Sequence, residues 1–145
     1  ESLQLAKDFG ADYLFNSTDE GIIENMMEAS GGIGHDIVFE TAGSAEAPKI
    51  SIDYTRRGGK TILVGIYSTQ PKMDFNQIVF FEREVIGSVG SAPGDMEAGV
   101  QLLNQGKINP APLISKVISL DNVIEEGYQK MANDSKGIFR ILVKP

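Results

Sequence analysis

The residues best placed to do chemistry are short glycine-bearing stretches that each close an apolar run: Thr41-Ala42-Gly43, Val64-Gly65-Ile66 and Ser88-Val89-Gly90. Where neighbouring strands run parallel, their carboxyl ends share one edge, and ligands of open α/β sheets settle in the crevice outside it. Glycine or a small residue at such an edge lets backbone come close to a flat ligand. Glycine after a strand also serves tight turns in any α/β protein, so each stretch alone has an equally ordinary structural reading.

Other chemistries lack their parts. The one histidine, His35, stands before a strand-like run with no Ser, Cys or second His arranged about it, so a structural or solvent-facing role suits it better than that of a triad base. A single histidine and no cysteine cannot supply the usual zinc ligands. Asp19, Glu20, Glu24 and Glu28 fall on one side of a helical pattern, opposite Ile22, Ile23 and Met26, as a solvated face does. Arg140 interrupts the apolar run Ile138-Phe139-Arg140-Ile141-Leu142; either it reaches out to solvent or it meets an anion such as a pyrophosphate.

A dinucleotide site is expected to carry G-x-G-x-x-G between a first strand and its helix, with an acidic residue closing the second strand. Neither feature occurs. Gly31-Gly32-Ile33-Gly34 follows a helix and enters a strand, the reverse of the required order, and Gly87-Ser88-Val89-Gly90 lacks the third glycine.

The elements that must position these stretches follow from apolar spacing. Leu3, Ala6 and Phe9 share a helical face that Gly10 stops, so the chain begins inside an element, as a fragment of a longer protein would. Asp12–Asn16 reads as a strand. Ser17-Thr18-Asp19-Glu20 has a capping-box pattern ahead of a helix bearing Ile22, Ile23, Met26 and Met27. His35–Glu40, Thr61–Ile66 and Glu84–Gly90 are strands whose apolar residues run in succession, as expected of strands covered on both faces. Helices are expected over Ala45–Tyr54, stopped around Arg57-Gly58-Gly59, and over Asn76–Phe81. Beyond Gly94 come a helix from Asp95 to Asn104 with Met96, Val100 and Leu103 inward, and a strand over Leu113–Ile118. A helix from Asp121 to Ala132 then packs through Val123, Ile124, Gly127, Tyr128 and Met131, and a last strand covers Gly137–Val143. Alternating helices and strands of this kind make parallel βαβ units.

Composition narrows the function. The 145 residues are 41% hydrophobic and 23% charged, an ordinary globular balance with length enough for a core. A formal charge of -7 with scattered lysines and arginines disfavours nucleic acid as a partner. No apolar run approaches the roughly 18 residues of a membrane span, and no basic, apolar, cleavable leader opens the sequence, so no membrane partner is expected and the cytoplasm is the expected compartment.

Taken together, LAKDFGADYLFN, GGIGHDIVFETAGS, RRGGKTILVGI, EREVIGSVGS, and PLISKVISLDNVIEEGYQKM followed by GIFRILVKP resemble the C-terminal portion of the zinc-dependent medium-chain dehydrogenases/reductases, the alcohol, sorbitol and threonine dehydrogenases. The resemblance implies an α/β fold: an incomplete Rossmann-type parallel sheet with helices on both faces, followed by a segment returning to the catalytic domain. It sets residues 1–89 as a partial dinucleotide-binding domain and residues 90–145 as the returning segment. It further implies NAD or NADP as cofactor, a small alcohol or carbonyl substrate, zinc bound outside this chain, and a homodimer or homotetramer formed through the strand at 84–89. By the same resemblance Thr41, Ala42 and Gly43 lie beside the adenosine ribose, and Val64, Gly65 and Ile66 flank the nicotinamide. Ser88, Val89 and Gly90 offer backbone to its carboxamide, and Arg140 meets the pyrophosphate. The polypeptide itself is expected to be inactive. Two other readings share the scaffold: a zinc-free quinone or enone reductase, and a non-catalytic nucleotide-binding protein.

Overall fold

In the computed structural model, which describes residues 2–145, the apolar successions around Val38, Ile62 and Val85 become three parallel strands. They are β1 (His35–Glu40), β2 (Thr55–Leu63) and β3 (Glu84–Gly87), in the spatial order β1-β2-β3. The fold is α/β with a parallel sheet, as expected.

Two compact units make up the chain: Phe15–Gly90, and Ser91–Pro145 together with the residues up to Leu14. In the first, α2 (Ile22–Ala29) precedes β1, α3 (Ala47–Tyr54) joins β1 to β2, and the short α4 (Asn76–Val79) leads to β3. The core lies where α3 covers one face of β1 and β2. Ile52 is 1% exposed, and Pro48, Ser51, Tyr54, Thr55 and Thr61 are buried with it. Its polar groups are paired, as burial requires: the Thr55 hydroxyl donates to the Ser51 carbonyl at 2.9 Å and lies 2.7 Å from the Thr61 hydroxyl. On the opposite face Ile37, Phe39 and Ile86 are exposed, so the expectation of strands covered on both sides is met on one side only.

Several elements depart from their expected form. β2 starts at Thr55, well before the expected Thr61, because the register against β1 slips between His35 and Ile37. Arg57-Gly58-Gly59, read as a stop, is an irregularity inside the strand. A Cβ on Gly59 would come within 2.9 Å of the Asp36 carbonyl, which explains why glycine stands at this close approach. Asp12–Asn16 joins neither sheet among the described residues, since a strand exists only where another strand receives its hydrogen bonds. The capping box does not form either. Gly21, in the left-handed region, stands at the N-cap of α2, with no side chain capping it.

The second unit holds α1 (Ser2–Asp8), α5 (Asp95–Asn104), β4 (Ile114–Ser119) and β5 (Arg140–Lys144), with β4 and β5 paired in parallel. A π-helical stretch, Val123–Gln129, continues into α6 (Lys130–Asn133) where one regular helix was expected. Here buried Gly127 lies beside both Ile118 and Val123, while Ile124, Tyr128 and Met131 are exposed, contrary to the expected packing side. In α5 the expected bounds hold, but Met96 is 70% exposed and Val100 and Leu103 are exposed too. The periodicity that marks this helix as amphipathic is present, yet α5 packs extensively against no other element among the described residues.

Candidate functional site

Parallel pairing carries the ends of β1, β2 and β3 to one edge of the sheet, as the glycine-bearing stretches require. Thr41-Ala42-Gly43 follows β1, Val64-Gly65-Ile66 follows β2, and Ser88-Val89-Gly90 follows β3. Backbone hydrogen bonds tie the three together. The amides of Val64 and Gly65 donate to the Glu40 carbonyl at 2.9 and 3.1 Å, and the Ser88 amide donates to the Leu63 carbonyl at 2.9 Å.

The first two stretches meet without spare room. Gly43 has φ +66°, and a Cβ there would lie 2.6 Å from the Ile66 carbonyl oxygen. A Cβ on Gly65 would lie 2.6 Å from the Gly43 amide nitrogen and would strike the Glu40 carboxylate as well. These two glycines are therefore fixed by close packing of backbone on backbone, and Gly43 by its left-handed conformation in addition. Gly90, also at positive φ, faces open space. Outward from this junction the rim is apolar and uncovered: Ile66 is 84% exposed, Val89 is 89% exposed, and Val64, Thr41, Ala42 and Ser88 are exposed as well.

Beneath the rim lies a residue that sequence reasoning passed over. Glu40 closes β1 and is 2% exposed. One carboxylate oxygen accepts from the Ala42 and Gly43 amides at 2.7 and 2.8 Å, and the other accepts from the Tyr67 hydroxyl. Burial pushes its pKa up, but the hydrogen bonds from Tyr67, Gly43, Ala42 and Gly65 outweigh burial and hold it below the ordinary carboxylate value. Tyr67 moves the other way, to about 12, through burial first and then through the hydrogen bond and charge of Glu40. An acid closing an apolar strand just ahead of Thr-Ala-Gly was the available signal for Glu40. For Tyr67, which stands far along the chain, the sequence offered none.

The remaining expected positions belong to other parts of the fold. Arg140 opens β5 opposite Ile114, in the unit that does not contain the rim, and is exposed. His35 opens β1 and is half-buried. Among the described residues no group of three or more His, Cys, Asp or Glu side chains is placed to hold a metal. The rim suits a flat, partly apolar ring with polar edges, because exposed aliphatic side chains and strand-end backbone alternate along it.

Comparison with known proteins bears on what such an edge serves. Residues 1–105 match the family described as zinc-binding dehydrogenase. A sorbitol dehydrogenase from Halalkalibacterium halodurans is 36% identical over 115 residues, covering 78% of this chain and 33% of the relative. An L-threonine 3-dehydrogenase from Pyrococcus abyssi is 28% identical over 143 residues, covering 97% of this chain and 41% of the relative. The crystal structure of 2R,3R-butanediol dehydrogenase from Bacillus subtilis superposes with a TM-score of 0.86 at 31% identity, over 98% of this chain and 40% of that one. The chain thus spans between 33% and 41% of the length of these relatives.

Proposed function

The chain belongs to the zinc-binding dehydrogenase family, and from that premise we propose that it forms part of an oxidoreductase that moves a hydride between an alcohol carbon and NAD or NADP. The single observation that carries this reading is the shared edge where β1, β2 and β3 end beside the exposed Val64, Ile66 and Val89. In this reading residues 1–89 are the partial dinucleotide-binding domain and residues 90–145 the segment returning to the catalytic domain. A bound nicotinamide supplies the hydride acceptor. The chain's own residues bind and orient it.

Thr41, Ala42 and Gly43 stand beside the adenosine ribose, and Val64, Gly65 and Ile66 flank the nicotinamide ring. Ser88, Val89 and Gly90 offer backbone groups to the carboxamide. Exposed aliphatic side chains at the rim displace water from the ring face, which favours hydride transfer over side reactions. No side chain at the rim is an acid or base suited to handling the alcohol proton, so that task and the zinc ligands belong to residues outside this chain. Taken alone, the 145 residues are inactive and hold a dinucleotide weakly, because no G-x-G-x-x-G loop is among them to cradle its phosphates.

The relatives named above are a sorbitol, an L-threonine and a butanediol dehydrogenase, and the higher identity to the sorbitol enzyme favours a polyol. β3 lies at the sheet edge with Ile86 exposed, which supports a homodimer or homotetramer formed through residues 84–89. No helix among the described residues is long and apolar enough to cross a membrane, and a cytoplasmic location is the reading that goes with an NAD(P) substrate pool. The test is an assay of the intact protein against polyols, amino alcohols and simple alcohols with each cofactor. Reduction of NAD or NADP with at least one alcohol is expected; the absence of both turnover and nucleotide binding would overturn the proposal.

A further inference from the structure

We infer that Glu40 and Tyr67 act as positioning residues, a partly buried clasp that locks the Thr41–Gly43 and Val64–Ile66 loops into the one spacing at which they can receive a nicotinamide nucleotide. The inference rests on the rim being the nucleotide site, and it assigns a role to side chains that touch neither ring nor ribose in that reading. Glu40 holds the first loop by accepting from the Ala42 and Gly43 amides at 2.7 and 2.8 Å, and it holds the second through its backbone carbonyl, which accepts from Val64 and Gly65. Tyr67, just past Ile66, donates to the free oxygen of the same carboxylate. A single residue, Glu40, therefore ties into both loops.

The packing leaves no slack for a substitute. Gly65 has no room for a Cβ against Gly43 and the Glu40 carboxylate, and Gly43 has none against Ile66. Loss of the clasp lets the loops part, and the cost of bringing them back together is then drawn from nucleotide affinity. The carboxylate stays ionised because the donors around it outweigh its burial, and Tyr67 stays protonated because burial and Glu40 push its pKa to about 12. Both ends of the clasp are thus in the right state at neutral pH.

The experiment is a double-mutant cycle on the intact protein with Tyr67→Phe, Glu40→Gln and the pair, titrating NADH by fluorescence and recording the unfolding midpoint beside it. Tyr67→Phe removes one hydroxyl and no packing volume, so it keeps the fold. It is expected to weaken NADH binding roughly tenfold, about the value of a hydrogen bond to a charged group. The double variant is expected to lose no more than the weaker-binding single, because the two side chains form one device. Amide exchange at Ala42, Gly43 and Gly65 is expected to quicken in the variants without nucleotide present. Variants with lowered midpoints but unchanged NADH affinity, or losses that simply add, would overturn the clasp while leaving the nucleotide site standing. An unmodified protein that binds neither NADH nor NADPH would overturn the site and the clasp's role together.

Discussion

The two units of the chain differ in where their apolar residues end up. In Phe15–Gly90, α3 seats Ile52 and Tyr54 against Thr55 and Thr61, and the sheet has a closed face. In the unit containing Ser91–Pro145, Ile118 is the one buried large hydrophobic among the described residues, and Met96, Val100, Leu103, Tyr128 and Met131 are exposed. Both units have amphipathic elements and a parallel strand pair, so pattern alone does not separate them. What separates them is a local partner: α3 connects the two strands it covers, while α5 has no such neighbour within the described residues. The rim sits on the unit that builds its own core, and rigid support of that kind is what a binding edge needs.

Truncations should make the contrast visible. Ile52→Ala is expected to destabilise the first unit by about 4 kcal/mol, the cost of a fully buried aliphatic side chain plus its cavity. Leu103→Ala on α5 should cost less than about 0.5 kcal/mol, as exposed positions do. Denaturant unfolding of both variants checks this, and equal losses would erase the distinction. Gly65→Ala is expected to cost about 3 kcal/mol through overpacking against Gly43 and Glu40. Alanine at Gly99, in exposed α5 with nothing within 4 Å, should stabilise slightly.

Titration sharpens the comparison further. Tyr67 has its folded pKa raised from 10.0 to about 12, so the stability it contributes is complete below pH 10 and drains away as pH climbs toward 12. Glu40 has its folded pKa depressed, so its contribution is complete above 4.5 and is lost as acid carries the pH below its lowered folded value. Melting curves of unmodified protein and Tyr67→Phe across the alkaline range should converge as this contribution disappears. In the other unit, Lys130 and Asp134 form an exposed i,i+4 pair at 2.5 Å. Lys130→Ala is expected to leave the unfolding midpoint unchanged within error, because solvent screens such pairs.

The sequence announced some of this and hid the rest for identifiable reasons. α5 was legible to its ends, since Gly94 and the acidic Asp95 and Glu97 mark its start. The strand ends forming the rim were legible because each apolar run stops at glycine or a small residue. β2 was read too short because Arg57-Gly58-Gly59 has the composition of a turn, and only the register against β1 reveals an irregularity within a strand. The hydroxyl and acid at Ser17 and Glu20 promised a capping box, but Gly21 took the N-cap position. The clasp was invisible because Glu40 and Tyr67 are neighbours only after β1 and β2 pair. Burial, too, was legible only where the covering helix is local. Ile37 and Phe39 have the same apolar character as Ile52 and yet are exposed.

Amide hydrogen exchange of the intact protein, with and without saturating NADH, tests the central claim most directly. Slowed exchange is expected at Gly43, Ile66 and Val89 together, across all three strand ends. Saturable NADH binding with protection confined to segments outside 41–43, 64–66 and 88–90 would contradict it.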